Sequence, residues 1–274
     1  MSTSIVTSSE VVSELDPRSV ALVVASCDRY ADVWQPWFQA FSRFWPDCPY
    51  SVYHVSDTLH WSAPSVRPLL TGPHYSWSDN LIKALSHLSE TYVYLVVDDL
   101  IFTAPVDSNR VHALISQLHA LDGNYLRLND IPPYDAFCTA DLGVINPGAV
   151  YRTSTQMCIW KRSTLLSILK SDESIWEFEM EGSRRSDAFP RFYATTRAGL
   201  EYVNAIIKGK WSRNVISRLA ASQIEVPLGS RPVMSRREEL AFRIGVVRNK
   251  CLYMLPSNVR RSIRERFGPK YRTI

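Results

Sequence analysis

The chain predicts an α/β fold, a doubly wound, mostly parallel sheet of the nucleotide-binding type with helices on both faces. Three observations carry this. Tyr92 to Val97 is six consecutive apolar or aromatic residues, ending abruptly in Asp98-Asp99. So short and continuous a run reads as a strand buried on both faces, as in parallel sheets covered by helices. Arg18 to Ser26 is a second run of this kind, and strand-like and helix-like stretches alternate over the first 125 residues. At 274 residues and 46% hydrophobic content, the chain can bury a sizeable core.

Taken in order, the first strand ends at Cys27-Asp28-Arg29. A helix over 32–45 follows, with a stripe of Val33, Trp34, Trp37, Phe38, Phe41, Phe44 and Trp45. Pro46 and Pro49 break it before a strand over 50–55, and 56–76 reads as a Pro- and Ser-containing loop. Trp77 to Leu88 is helical, capped by Ser76 or Ser78. After the Asp-Asp strand come a helix over 109–121 and a short strand over 125–128. Residues 129–147 look irregular, with three prolines, and long loops of this kind are often functional. Val150 to Trp160 reads as strand, Lys161 to Leu169 as helix, and Trp176 to Glu181 as the start of another helix. Three units are expected: an N-terminal stretch over 1–17, a body over 18–230 and a basic extension over 231–274.

Charge supports the last boundary. From Arg231 to Ile274 there are 12 Lys/Arg against 3 Asp/Glu, a net of +9; the remainder holds 19 against 24, a net of −5, giving the overall +4. Leu240, Ile244, Val247, Cys251 and Met254/Leu255 recur at helical spacing there, with Arg243, Arg248 and Lys250 elsewhere on the helix. A basic amphipathic helix can lie on an anionic membrane surface or pack its apolar face on the body. With an acidic body and no nucleic-acid motif, a nucleic-acid partner is not expected. The five cysteines form no CxxC pair, which argues against a disulfide framework or a zinc site. The six histidines lack metal-ligand spacing. The Ser/Thr-rich start has no signal-peptide pattern, and no stretch approaches a membrane span, so a cytoplasmic location is expected, peripheral on the inner face of the membrane if the tail binds lipid.

The chemistry-bearing residues gather at strand ends. In open α/β sheets, ligands bind beyond the carboxyl ends of the strands. Two adjacent carboxylates there, Asp98 and Asp99, are costly to desolvate unless a positive group sits beside them. A divalent cation bridging to phosphates fits, and a turn-capping Asp beside a solvated one is the plainer reading. Asp28, at the end of the first strand, is placed to contact a base or ribose. Asp79 lies in the first turn of the helix leading to the Asp-Asp strand. Arg127 either anchors a phosphate or pairs with a core acid. Neither G-x-G-x-x-G after the first strand nor G-x-x-x-x-G-K-[ST] is present, which disfavours dinucleotide and P-loop readings.

The ordered set Ala21 to Asp28, Trp45-Pro46-Asp47-Cys48-Pro49, Trp77-Ser78-Asp79, Asp98-Asp99, Tyr125 to Leu128, Trp176-Glu177-Phe178-Glu179 and Lys208-Gly209-Lys210-Trp211 resembles the GT-A glycosyltransferases. More narrowly, it resembles uncharacterised transferases of bacterial surface-polysaccharide gene clusters. The resemblance spans roughly residues 18 to 235. It implies a nucleotide-sugar donor, with a UDP-sugar the first expectation, and a glycan or lipid-linked acceptor. It further implies inverting transfer, a metal (Mn²⁺ or Mg²⁺) on Asp99 and Asp98, and donor contacts from Asp28, Asp79, Arg127, Lys208 and Lys210. Glu179 or Glu177 would be the base that deprotonates the acceptor. On a helix these two lie about 200° apart, so only one can face the site. Asp98-Asp99-Leu100 departs from a regular Asp-x-Asp, which puts the metal itself in question. A nucleotidyltransferase and a non-catalytic scaffold of a polysaccharide assembly complex are the alternatives.

Overall fold

The computed structural model describes residues 15–253, together with 255 and 259. The expected stretch over 1–17 and the basic run over 260–274 therefore lie almost wholly outside the described residues.

β1 (Val20–Ala25), β2 (Ser51–Ser56), β3 (Val66–Leu70) and β4 (Tyr92–Val97) pair in parallel in the order β3-β2-β1-β4. The sheet continues through β9 (Cys158–Lys161), β6 (Tyr125–Arg127), β10 (Phe192–Thr195), β8 (Leu142–Val144) and β7 (Ala136–Phe137) to nine strands among the described residues. Only β9 and β8 run against the rest, each antiparallel to its neighbours. This is the doubly wound, mostly parallel sheet that the sequence predicts. Alternation along β1 shows why both faces are buried. Val20, Leu22 and Val24 pack into one apolar cluster with Trp34, Trp37, Phe41 and Leu114, while Ala21 and Val23 pack into another with Leu81, Leu85 and Leu165. The first cluster is covered by α1 (Ala31–Phe44) and α3 (Ser108–Ala120), the second by α2 (Trp77–Ser86) and α4 (Arg162–Ile168).

Helix α2 shows how local chemistry sets a boundary. The Ser76 hydroxyl accepts a hydrogen bond from the Asp79 amide at 3.1 Å, so Ser76 is the cap. Such a cap contributes about 1 kcal/mol.

Several expectations need correction. The supposed loop over 56–76 contains β3, an edge strand among the described residues, which tolerates Pro68 because one side of it pairs with no described strand. Residues 150–157 do not form strand. Tyr151 and Met157 adopt φ of 52° and 43°, which breaks an extended run, and β9 begins only at Cys158. The irregular 129–147 stretch supplies β7 and β8. Further pieces follow the sheet: β5 (Leu100–Phe102) pairs with β11 (Tyr202–Asn204), and β12 (Ile206–Ile207) with β13 (Lys210–Trp211). The helical segment after α4 runs through α5 (Ile175–Glu177), a π turn over Phe178–Gly182 and α6 (Ser183–Arg185). The chain then reaches α7 (Arg213–Ala221) and α8 (Arg236–Tyr253). No helix among the described residues is long and apolar enough to cross a membrane.

Candidate active site

The strand order reverses at β1. From β1 the chain winds outward to β2 and β3, then returns to lay β4 on β1's other side. Loops leaving the carboxyl ends of β1 and β4 therefore diverge, opening the crevice where such sheets bind ligands. The register places Ala25 opposite Val97, so Ser26-Cys27-Asp28 and Asp98-Asp99 line that crevice together.

Asp98 is buried, 5% exposed, and accepts a short hydrogen bond from the Ser26 hydroxyl. Ser26 is itself held by the Trp34 indole N–H at 2.6 Å. Burial, with the Asp99 charge beside it, holds the Asp98 carboxyl well above the usual carboxylate range. Asp99 is half-buried in the turn between β4 and β5, and burial pushes it up to about 7. Its backbone carbonyl accepts from the Ala205 amide at 2.7 Å, which ties the turn to the segment after β11.

Arg231, which sequence reasoning did not single out, lies beside this pair. Its guanidinium donates to both oxygens of Asp32 at 2.9 Å and lies 4.5 Å from the Tyr30 ring centroid. Both side chains of the ion pair are 11% exposed. The Arg231 charge is near enough to oppose the upward shifts of Asp98 and Asp99. No spacing signal marked it, because 199 residues separate it from Asp32.

The remaining expected site residues divide. Asp28 accepts from the amides of Asp57, Thr58 and Leu59 and from the Thr58 hydroxyl, which lowers its pKa despite partial burial. It borders the crevice, but its carboxylate holds the loop after β2. Asp79 clamps the start of α2 to the 171–172 turn through Ser171 and the Asp172 amide. Arg127 is 1% exposed, and its guanidinium donates to the carbonyls of Asn129, Pro132 and Tyr151, which fixes the long loop after β6. Lys208 sits in the β12–β13 turn at φ 51°, and Lys210 pairs with Glu238 at 2.6 Å.

The two glutamates separate sharply. Glu177 is exposed and closes a capping box, accepting from the Ser174 amide at 2.8 Å and the Ser174 hydroxyl at 2.7 Å. Glu179 is 6% exposed in the π turn, a distortion that is frequent at functional sites. Its Oε1 accepts from the Thr155 amide at 2.8 Å, the Thr155 hydroxyl at 2.9 Å and the Ser154 hydroxyl at 3.3 Å. Burial raises its pKa against these bonds. Because β9 is antiparallel to β4, with Cys158 opposite Leu95, residues 154–157 precede it at the carboxyl end of β4. Glu179 thus stands at the same sheet edge as Asp98 and Asp99.

A further cluster joins residues that spacing kept apart. The side chains of Cys27, Asp57 and His74 bring their ligand atoms within 4.8 Å of one another. Asn80 donates to Asp57 Oδ1 at 2.8 Å, and the His74 ring nitrogen lies 3.0 Å from the same oxygen. Sulfur and imidazole donors suit softer metals than Mg²⁺ or Mn²⁺, which take carboxylate oxygens. Asp98 and Asp99 supply oxygens of that hard type, and a cation beside them would offset the burial that raises both of their pKa values. The expected cation therefore fits them, with the rest of its shell left to water and phosphate.

No protein-family model matches the chain, and no curated protein matches it. Solved structures do resemble it, loosely. Residues 1–349 of S. aureus TarS are 9% identical, with 67% of this chain and 59% of that one covered at a TM-score of 0.43. The mannosyltransferase PcManGT from Pyrobaculum calidifontis, in complex with GDP-Man and Mn²⁺, is 13% identical, with 70% and 59% covered at a TM-score of 0.47. The UTP-bound UGPase of Acinetobacter baumannii is 8% identical, with 83% and 98% covered at a TM-score of 0.46. The chain spans about three fifths of the TarS and PcManGT chains. The reading of the site rests on its own residues.

Proposed function

We propose that the protein is an inverting glycosyltransferase that moves a sugar from a nucleoside diphosphate, a UDP-sugar first, onto a glycan or lipid-linked acceptor in surface-polysaccharide biosynthesis. The acceptor would be met at the cytoplasmic face of an anionic membrane. One observation supports the reading: Glu179, with Oε1 held by Ser154 and Thr155, lies at the same sheet edge as the Asp98–Asp99 pair, whose pKa values burial raises, and Arg231 stands beside that pair in its ion pair with Asp32.

Each residue then has a task. Glu179 is the base. The bonds from Ser154 and Thr155 orient Oε1, no described hydrogen bond uses Oε2, and a raised pKa brings its basicity toward that of a working base. Oε2 takes the acceptor hydroxyl's proton as that oxygen bonds to the anomeric carbon and the bond to the diphosphate breaks. Departure of the diphosphate needs positive charge close by. Arg231 supplies it, with Lys208 and Lys210 on the neighbouring hairpin. A divalent cation held by Asp99, with Asp98 behind it, would neutralise the same diphosphate. Ser26 and Trp34 position Asp98, and Asp28 and Asp79 shape the crevice through the loops they hold.

The test is turnover with a panel of nucleotide-sugars and Mn²⁺. Slow release of nucleoside diphosphate from one donor is expected. Formation of nucleoside triphosphate from donor and pyrophosphate would make the protein a nucleotidyltransferase. Neither turnover nor donor-specific thermal stabilisation would leave the scaffold reading.

A further inference from the structure

Helix α8 carries three of its large apolar residues on the outward side, which a helix that only packs on its own domain would not. Leu240, Ile244 and Val247 fall at i, i+4 and i+7, a single stripe, and are 59%, 61% and 62% exposed. Of the two alternatives read from the sequence, packing on the body does not hold for these three residues. A different face makes the attachment. Glu239 accepts from the Ser212 hydroxyl at 2.9 Å and the Arg213 amide at 3.1 Å, Glu238 pairs with Lys210, Gly245 is buried, and Phe242 and Val246 are half-buried.

Arginines border the exposed stripe on both sides. At about 100° per residue, Arg236 and Arg243 fall to one side of it and Arg237 and Arg248 to the other, each within about 80° of its centre. Arg236, Arg237 and Arg243 are exposed. The two acids of the helix, Glu238 and Glu239, are turned to the body and occupied there. The outward face is thus purely apolar and cationic.

We infer that this face of α8 is a docking surface for an anionic lipid bilayer, on which the helix lies in the plane of the headgroups. The three apolar side chains enter the acyl boundary, while the flanking arginines keep their charge among the lipid phosphates along extended stems. Charge selects this occupant. A second copy of the chain would set arginine rows against arginine rows, whereas an anionic headgroup layer complements both rows at once. The 12 Lys/Arg against 3 Asp/Glu from 231 onward add long-range attraction to the same surface. The inference stands apart from the catalytic reading, because vesicle binding needs no donor and donor turnover needs no vesicle.

The test is co-sedimentation of the full chain with vesicles of phosphatidylcholine alone or mixed with phosphatidylglycerol, beside its mass in solution. The chain should bind the anionic vesicles selectively. The triple variant Leu240→Gln, Ile244→Gln, Val247→Gln should bind about 100-fold more weakly with an unchanged melting temperature, since the replaced side chains are exposed. Arg236→Gln, Arg237→Gln, Arg243→Gln should weaken the preference for phosphatidylglycerol without removing the attraction of the remaining basic residues. Equal binding by wild type and the triple variant would overturn the inference. So would a wild-type dimer that the triple variant converts to monomer without any vesicle binding.

Discussion

Replacing Glu179 with Gln isolates the proton-accepting role from the architecture around it. In the wild type, Oε1 takes three hydrogen bonds from Ser154 and Thr155. A glutamine keeps an oxygen in that place and changes only the second atom, from a proton acceptor to an NH₂ group. Donor affinity should stay within about twofold while transfer falls by 10²–10⁴, the usual worth of a general base. That loss corresponds to roughly 3–5 kcal/mol of transition-state stabilisation. Stability provides an internal control with a definite sign. Burial raises the Glu179 pKa, so the folded state binds the proton more tightly than the unfolded state. Wild-type stability should therefore fall, relative to the Gln variant, as pH rises past the ordinary glutamate value of about 4.3. Denaturant melts of both chains across pH 4 to 8, beside initial rates of diphosphate release, check both halves. Glu177→Gln should be mild in both, because Glu177 is exposed and its task is the capping box. Near-native transfer by Glu179→Gln would refute the assignment and move the search for the base to the 130–141 loop.

Three other outcomes follow from the site and the core. Asp99→Asn should abolish Mn²⁺-dependent donor binding in a chain that still folds; undiminished turnover in EDTA would remove the metal from the mechanism. Arg231→Gln should weaken donor binding about tenfold and cost about 2 kcal/mol, between exposed and buried ion-pair values, whereas Asp32→Asn should share the stability loss and keep the donor affinity. Equal donor affinity in wild type and Arg231→Gln would make Arg231 structural. His54 is fully buried against Trp34 and Phe38, and burial pushes its pKa down to about 4. The unfolded chain therefore binds protons first as pH falls below about 6.5, and His54→Phe should spare about 2 kcal/mol of the stability that wild type loses between pH 7 and 4.5.

What could be read from sequence follows from how each element is stabilised. β1, β4, α1 and α2 were legible because their burial is written as continuous apolar runs or helical stripes, and α2 adds a capping serine. β10 and β11 have no such signature. They are four and three residues long and depend on partners far away in sequence. The 150–157 segment misled because its β-branched, aromatic and hydroxyl residues look extended. Arg152, Thr153, Ser154 and Thr155 are instead buried by side-chain bonds to the 179–189 region. The same segment separates the glutamates: the bonds from Thr155 and Ser154 single out Glu179, and no helical periodicity contains them. Asp98 and Asp99 were visible as acids ending a buried strand. Arg231 and the Cys27–Asp57–His74 grouping were not, since only the folded chain brings residues so distant into contact.

The central claim is that the crevice between β1 and β4 receives a nucleoside diphosphate at Asp98, Asp99 and Arg231. Isothermal titration of UDP and GDP onto the full chain, with and without Mn²⁺, addresses it directly. Saturable binding of one of the two is expected, strengthened by Mn²⁺ and lost in Asp99→Asn at unchanged fold. Binding that is indifferent to Asp99 and Arg231, or no binding of either nucleotide by a folded wild-type chain, would contradict it.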